Sequence, residues 1–215
     1  MSAKKEGGYL REQAYNEIKK RILACEFAPG EFLNESQIGE VLQLGRSPIH
    51  QALHRLEVEG LLTIFPRKGV MVSQLSLNEV IDMIEVRLIN EEMSVTLAAE
   101  RAQKSEIEAM REILQGTPLA IEQRDLQSLM TIDLKFHNAI SAASRNRVLA
   151  ELLRGIHEKQ ARFWFLSLSS SAHMKNVYRE HLAIVDLLAS RDVAGVQHMM
   201  AEHINSFRKN IMTAV

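Results

Sequence analysis

Residues 34–72 read NESQIGEVLQLGRSPIHQALHRLEVEGLLTIFPRKGVMV and have the pattern of two short helices followed by a hairpin. The first helix is predicted over Asn34–Leu42 and the second over Ser47–Glu59, after a short turn. Two β-prone runs, Leu62–Phe65 and Val70–Val72, flank a turn that contains glycine. This order of elements, with little spare chain between them, predicts a winged helix-turn-helix.

The second of these helices has well-marked ends and two unlike faces. Ser47 is predicted to cap it, Pro48 to occupy its first position, where a missing N–H costs nothing, and Gly60 to end it. One face forms an apolar stripe: Ile49, Ala52, Leu53 and Leu56. The other carries side chains that can donate hydrogen bonds: Arg46, His50, Gln51, His54 and Arg55. On an isolated helix such a face is usually only a solvated surface, but the flanking turn and hairpin favour a DNA-reading helix.

The tip of the hairpin, or wing, carries two adjacent positive charges. Arg67 and Lys68 are placed to contact a phosphate or a minor groove, and Gly69 allows close approach of the backbone. An ordinary solvated hairpin is the alternative. The predicted DNA-binding residues are thus Arg46, Ser47, His50, Gln51, His54, Arg55, Arg67, Lys68 and Gly69. Because one recognition helix samples few bases, we expect a homodimer on a pseudo-palindromic operator in double-stranded DNA.

The length and charge of the chain limit the remaining possibilities. With 215 residues, 46% of them hydrophobic, the chain has material for two modest domains, predicted at 1–75 and 76–215. The net charge of −1 gives no general attraction to nucleic acid, so DNA affinity depends on where the charges lie. The single cysteine excludes an intrachain disulfide. Neither a signal peptide nor a long apolar run is evident, so we expect a cytoplasmic protein without a membrane segment.

From Ser76 onward the sequence has helical periodicity. Ser76 and Glu79 have the spacing of a capping box, and good helix formers follow them. The predicted helices are six: Leu77–Arg101, Ser105–Leu114, Asp125–Ala143, Asn146–Leu166, Met174–Ser190 and Val193–Ile211. One more helix is predicted at about Leu10–Ala24, and no strand after the wing. The predicted fold is therefore mainly α, with an all-α helical bundle after the winged helix-turn-helix.

Four residues of the helical region have metal-ligand chemistry. Asp133 and His137, four positions apart, project from the same face of one helix. His181 and His203 lie on the last two predicted helices, which as antiparallel neighbours would bring both imidazoles to that pair. A surface ion pair and unrelated helical histidines are the alternative. The mixed imidazole and carboxylate set suits a borderline divalent ion, namely zinc, nickel or manganese, better than calcium.

The N-terminal part resembles the GntR family of bacterial transcription regulators. The match includes Phe27-Ala-Pro-Gly30, Gly45-Arg-Ser-Pro-Ile-His-Gln-Ala-Leu53 and Arg67-Lys-Gly69. Family members usually have arginine where this chain has His50 and glutamate where it has Gln51. Because an arginine holds guanine bidentately and a neutral histidine offers one donor and one acceptor, the usual operator of the family does not carry over.

The helical part resembles the FCD ligand-sensing domain of the FadR-like branch of that family, in its six-helix, VanR-type form. The matching runs are Asp133-Leu-Lys-Phe-His137, Asn146-Arg-Val-Leu149, Glu180-His181 and the final His203. The resemblance implies that one divalent cation is held by Asp133, His137, His181 and His203. It also implies that a small carboxylate effector occupies the open positions of the ion, and that the protein is a repressor released from DNA by this ligand.

Arg87, on the first helix of this domain, is the candidate clamp for the effector, because the family has a similar arginine and a guanidinium binds carboxylates bidentately. The alternative is an intrahelical pair with Glu91. Two other functions compete: a regulator that senses the metal itself, and a metal-dependent hydrolase with Glu180 as its base. A helix would point Glu180 away from His181, so we assign no catalytic residues and predict a regulator rather than an enzyme.

Overall fold

The computed structural model describes residues 2–74, 76–167 and 171–214, with the side chains of 8–74, 76–163 and 173–212. The chain divides into two compact units, Met1–Leu75 and Ser76–Val215. Helices dominate both units. None of the helices in the described ranges is long and apolar enough to cross a membrane.

The first unit is a winged helix-turn-helix, as predicted. In chain order it contains α1 (Ser2–Leu23), β1 (Phe32–Leu33), α2 (Glu35–Leu42), α3 (Arg46–Val58), β2 (Leu62–Phe65) and β3 (Gly69–Val72). β3 pairs antiparallel with both other strands, and its Val72 lies opposite Leu62 of β2. Sequence reasoning misses β1, because a strand of 2 residues is too short to show an alternating pattern.

Helix α3 has the predicted apolar stripe but not the predicted cap. The stripe is buried: Ile49, Ala52, Leu53 and Leu56. The cap is Gly45, so α3 begins at Arg46, and the prediction that Ser47 caps this helix is wrong. The reason is that Gly45 already has the extended backbone of a cap, and its carbonyl accepts from the N–H of Ile49, so Ser47 lies inside the first turn. Pro48 is the third residue of α3, not the first as predicted, but it still costs no hydrogen bond, because the first N–H with a helical partner is that of Ile49, which donates to the carbonyl of Gly45.

Gly69 lies where the wing passes β1. Its φ is +109°, and a Cβ added there would be 2.9 Å from the backbone oxygen of Leu33. A side chain would therefore be strained in its backbone conformation and would also collide with β1. The fold alone thus accounts for a glycine at this position, and contact of Gly69 with DNA stays a prediction.

The second unit is built from helices, as predicted. They are α4 (Leu77–Arg101), α5 (Lys104–Leu114), α6 (Thr117–Gln123), α7 (Leu126–Ala143), α8 (Arg147–Ser167), α9 (Ser171–Ala189) and α10 (Val193–Ala214). Each of the six predicted helices corresponds to one of these, and α6 is additional, so the predicted number is one too low for the described part of this unit. Sequence reasoning misses α6 because 7 residues, with a proline near the start, are too few to show a helical period.

Helix α4 brings the elements of the candidate site together. Ser76 caps it by accepting a hydrogen bond from the N–H of Glu79, as predicted. It packs against α7, α8, α9 and α10. Its buried face includes Arg87 and Glu91 besides apolar residues. Charged side chains are rarely buried unless they are paired, so this face marks a place where polar partners from neighbouring helices meet.

Candidate functional site

The three predicted histidine ligands converge in the core of the helical unit, and Asp133 lies beside two of them. α7 supplies Asp133 and His137, α9 supplies His181, and α10 supplies His203. Nε2 of His137 lies 3.3 Å from Nε2 of His203 and 3.9 Å from Oδ1 of Asp133. That oxygen is also 3.6 Å from Nε2 of His181. The three histidines are buried, and each has one ring nitrogen within 4.8 Å of the others.

Two of these imidazoles have a carboxylate on their far side. Nδ1 of His203 lies 2.8 Å from Oε2 of Glu180, and Nδ1 of His137 lies 3.3 Å from Oε1 of Glu91. An ionised carboxylate only accepts hydrogen bonds, so it favours a proton on the nitrogen that faces it. For His203, Nε2 then presents a lone pair toward His137. Nε2 of His137, 3.3 Å away, is close enough either to donate a hydrogen bond to that lone pair or to share a cation with it.

The spacing of the ligand atoms fits a divalent cation. Nitrogen and oxygen ligands at ~2.0–2.2 Å from a zinc ion lie roughly 3.3 Å from one another in a tetrahedron. The distances from Nε2 of His137 to its neighbours, 3.3 Å to His203 and 3.9 Å to Asp133, are close to that value. Nε2 of His181 is buried and has no hydrogen-bond partner among the described residues, which suits a nitrogen that faces a cation.

Burial favours the neutral, metal-binding form of His181 and His203. Desolvation, reinforced by the neighbouring His203 and His137, holds the pKa of His181 well below its usual value. Desolvation and His137 act in the same direction on the pKa of His203. Desolvation alone would raise the pKa of Glu91, but His157 and His137 beside it hold that pKa well below its usual range. The site therefore combines two neutral imidazoles, those of His181 and His203, with an ionised buried carboxylate.

A buried polar cluster adjoins the histidines through Glu91. Oε1 of Glu91 lies 3.0 Å from Nη2 of Arg87 and 2.6 Å from Nε2 of His157. Nη1 of Arg87 donates to Oε1 of Gln160 at 2.7 Å. The intrahelical pair between Arg87 and Glu91 is thus formed, and the clamp role of Arg87 stays a prediction. Sequence reasoning misses His157 and Gln160, whose only signal is their polarity on a helix face shared with the buried Leu153.

A small cavity of about 20 Å³ adjoins the ligand set. It is lined by Asp133, His181 and mostly apolar side chains of α6, α7 and α9. A space of this size accommodates about one water molecule. A ligand larger than water would fit in this cavity only if its apolar wall moved.

In the first unit, the predicted DNA-binding residues are accessible. The exposed residues are Arg46, Ser47, His50, Gln51, His54, Arg55, Arg67 and Lys68, and Gly69 is half-buried. Arg55 is also engaged within the unit, where its guanidinium lies 3.5 Å from the ring centre of Tyr15 and pairs with Glu12 at 3.0 Å. Contacts between these residues and DNA remain predictions.

Comparison with known protein families gives two matches along the chain. A model described as "Bacterial regulatory proteins, gntR family" matches residues 10–72. A second, described as "FCD domain", matches residues 82–206, which is more than half of the chain. The two matches fall in the winged helix-turn-helix and in the helical unit.

Individual proteins are similar over nearly the whole chain. The uncharacterized HTH-type transcriptional regulator YdhC of Bacillus subtilis (strain 168) is 29% identical over 195 residues, which cover 90% of this chain and 87% of YdhC. The HTH-type transcriptional repressor RspR of Escherichia coli (strain K12) is 23% identical over 202 residues, which cover 94% of this chain and 89% of RspR. The solved structure of E. coli McbR/YncC has the same fold, with a TM-score of 0.86 at 20% identity over 95% of this chain and 97% of that one.

The relatives named above are regulators rather than enzymes, which confirms that prediction. Because the family matches cover both units, the chain belongs to the GntR family of DNA-binding transcriptional regulators and carries an FCD domain.

Proposed function

We propose that this regulator is a homodimeric repressor whose affinity for a pseudo-palindromic operator changes when a small carboxylate effector binds at a divalent-metal site in the FCD domain. The observation that carries the proposal is the opposed pair of Nε2 atoms in His137 and His203, 3.3 Å apart and buried. Nε2 of His181 lies in the same group and has no hydrogen-bond partner in the described part of the chain, and a shared cation would satisfy all three nitrogens.

The proposed metal ligands are Asp133, His137, His181 and His203. By its ligand set the ion is zinc, nickel or manganese. Such an ion supplies a Lewis acid with open positions for a carboxylate oxygen. Glu180 orients His203 from behind, Glu91 lies 3.3 Å behind His137, and burial favours the neutral form of His181 and His203.

One end of the effector is proposed to bind the metal, and Arg87 is the proposed contact for the other, polar end. Its guanidinium is shared between Glu91 and Gln160. Nε2 of Gln160 and Nδ1 of His157 are buried, and neither has a hydrogen-bond partner within the described part of the chain. A buried polar atom without a partner costs about 1–3 kcal/mol, which supports a polar ligand in this cluster.

Operator contact is proposed for one face of α3 and for the wing. The residues on α3 are Arg46, Ser47, His50, Gln51, His54 and Arg55, and those on the wing are Arg67, Lys68 and Gly69. The exposure of their side chains supports this assignment. We expect Arg46 to make the largest single contribution, because a bidentate contact from arginine to guanine is worth about 1–3 kcal/mol of discrimination.

A second copy of the chain is proposed to pack on the outer face of α4. Val86, Ile89 and Met93, at helical spacing, are 42%, 73% and 53% exposed. α8 packs against α4 and exposes Val148 and Leu152. A row of exposed apolar side chains along one helix is typical of a subunit interface, which supports dimerisation through the FCD domain.

Repression that the effector relieves is the proposed mode of regulation. The relative RspR is described as a repressor, which supports repression rather than activation. The effector changes operator affinity only if it binds one dimer geometry more tightly than another. A coupling free energy of about 1–3 kcal/mol between the two sites is enough for a useful switch.

The first test measures bound metal in the wild type and two variants. One is the double variant His137→Ala, His181→Ala, and the other is the control His198→Ala, which removes an exposed histidine of α10. Elemental analysis is expected to find a divalent metal in the wild type and the control but not in the double variant. Equal metal content in all three proteins would refute the metal site.

The second test titrates the same proteins with metal ions and with small carboxylic acids separately, while operator binding is followed. Carboxylates are expected to weaken operator binding by the wild type and by His198→Ala, and to leave the double variant unchanged. A response to the metal alone, with no response to any acid, would favour the metal-sensing regulator instead. An equal response to acids by the wild type and the double variant would refute the proposed mechanism.

A further inference from the structure

Two histidines on the exposed face of α3 take part in a short chain of hydrogen bonds. Nδ1 of His50 lies 3.2 Å from Oε1 of Glu35, which belongs to α2. Nε2 of His50 lies 3.2 Å from Nε2 of His54, and the two rings meet edge to face at 88°. The side chains of His50 and His54 are 51% and 52% exposed, so the pair is part of the surface that α3 offers to a partner.

The positions of the protons follow from the chemistry of the groups. A carboxylate oxygen only accepts hydrogen bonds, so the Nδ1 of His50 that faces Glu35 carries the proton. A neutral imidazole has one N–H, so Nε2 of His50 is unprotonated and accepts from Nε2–H of His54. Nε2 of His50 accepts this hydrogen bond whether or not Nδ1 of His54 also carries a proton. Nδ1 of His54 lies 3.5 Å from Oε2 of Glu57.

We infer that Glu35 fixes the tautomer of His50, so that this position of the reading helix offers a hydrogen-bond acceptor to the major groove. The inference rests on the proposed function of α3 as the DNA-reading helix. An arginine offers only donors and selects guanine, whose major-groove edge presents the acceptors N7 and O6. An acceptor instead pairs with an amino group, which adenine presents at N6 and cytosine at N4.

Glu35 therefore takes part in base selection through His50, although Glu35 itself does not contact DNA. Where His50 meets a base, the amino group of adenine or cytosine replaces the N–H of His54 as its donor. The N–H of His54 then becomes available to a neighbouring acceptor on a base or a phosphate. Guanine at the same place would set its acceptor atoms against the lone pair of His50, and we expect it to be disfavoured by about tenfold.

One experiment selects preferred operators from a randomised DNA library with the full-length protein and its variants. His50→Arg identifies the half-site position that residue 50 reads, because its preference there is expected to change to guanine. The wild type is expected to select adenine or cytosine at that position. Glu35→Ala is expected to lose most of the tenfold preference there, while Glu35→Gln keeps it, because an amide oxygen still accepts from Nδ1. Glu40→Ala, which removes another carboxylate of α2, is the matched control and is expected to keep the preference.

A second measurement reports the tautomer directly in the protein without DNA. The ¹⁵N chemical shifts of the His50 ring are expected to show a protonated Nδ1 and a bare Nε2 in the wild type and in Glu35→Gln. Glu35→Ala is expected to lose this pattern. An unchanged tautomer in Glu35→Ala, or guanine selected by the wild type at the position of residue 50, would overturn the inference while leaving α3 as the reading helix. A wild type that selects no sequence at all would overturn both the inference and the proposed function.

Discussion

Glu180 and His203 form a hydrogen bond of 2.8 Å that joins α9 to α10 behind the proposed metal position. The next residue along α9, His181, approaches Asp133 within the ligand set itself. Of these two consecutive residues of α9, His181 is a proposed metal ligand, and Glu180 contacts the proposed ligand His203. Since Glu180 is engaged by His203, the hydrolase alternative has no general base at this position.

Loss of the Glu180 carboxylate is expected to weaken metal binding. Without it, His203 is no longer held with its proton on Nδ1 and its lone pair toward the other ligands, and changes of this kind typically cost about 10–100-fold in metal affinity. Competition with a coloured chelator measures the affinity of Glu180→Ala, with Glu180→Gln expected to be intermediate. Glu202→Ala removes an exposed carboxylate of α10 and serves as the control. Equal affinity in Glu180→Ala and this control would contradict the assigned role.

Removal of the metal is expected to lower thermal stability. A ligand that binds only the folded state stabilises it by about 2.7 kcal/mol when present at 100 times its Kd. Thermal unfolding with and without a chelator should therefore give different midpoints for the wild type and for His198→Ala. His203→Ala should unfold at the same temperature in both conditions, and a chelator effect of wild-type size in this variant would be inconsistent with the ligand set.

Features of the fold that depend on nearby residues are predictable from the sequence. The buried stripe of α3 and the cap at Ser76 depend on residues within one or two helical turns, and the structure has both. Ser47 shows the limit of such reasoning. A capping preference is a weak local signal, and here Gly45, which has no capping side chain, precedes the first residue of α3.

The candidate site is only partly predictable for the same physical reason. The spacing of Asp133 and His137 is local and predicts that both project from one face of α7. Their meeting with His203 depends on how α7 and α10 are packed in the fold, which helical periodicity does not specify. The contact between Glu91 and His157 joins positions 66 residues apart and has no counterpart in the sequence pattern.

The winged helix-turn-helix has a carboxylate whose ionisation contributes to stability. Glu59 accepts hydrogen bonds from Tyr15 at 2.9 Å and from Lys19 at 2.8 Å. Desolvation alone would raise the pKa of Glu59, but the hydrogen bonds from Lys19 and Tyr15 outweigh it and place that pKa below the usual 4.5. Because the folded pKa lies below the unfolded one, the stabilisation is present above pH 4.5 and is lost as the pH falls through the folded value.

Glu59→Gln is accordingly expected to destabilise this unit by about 1 kcal/mol at neutral pH, after allowance for solvent screening of a partly exposed group. Hydrogen exchange of the amides in α1 and α3 measures this loss in the full chain. The difference from the wild type should shrink as the pH is lowered below 4.5. Glu40→Gln, at an exposed position of α2, is the control. A difference that stays constant with pH would show that ionisation of Glu59 is not involved.

Arg46 and Arg67 are expected to contribute to DNA binding in different ways. Arg46→Ala should lose about 1–3 kcal/mol of discrimination between operator and scrambled DNA, because a base contact carries sequence information. Arg67→Ala should weaken binding to both DNAs equally and reduce its dependence on salt, because a phosphate contact carries none. Gel-shift titrations at several salt concentrations separate the two effects. If Arg46→Ala kept the full sequence preference, the reading face assigned to α3 would be wrong.

The exposed apolar face of α4 is expected to hold the dimer together. Ile89 is 73% exposed and lies between Val86 and Met93 along that face. Ile89→Glu would place an unpaired charge inside an apolar interface, which typically costs several kcal/mol, so light scattering should find a monomer where the wild type is a dimer. Leu119→Glu, at a 58% exposed position of α6, should remain dimeric. Because a pseudo-palindrome requires two reading helices, Ile89→Glu should also bind the operator more weakly, and a folded Ile89→Glu dimer would place the interface elsewhere.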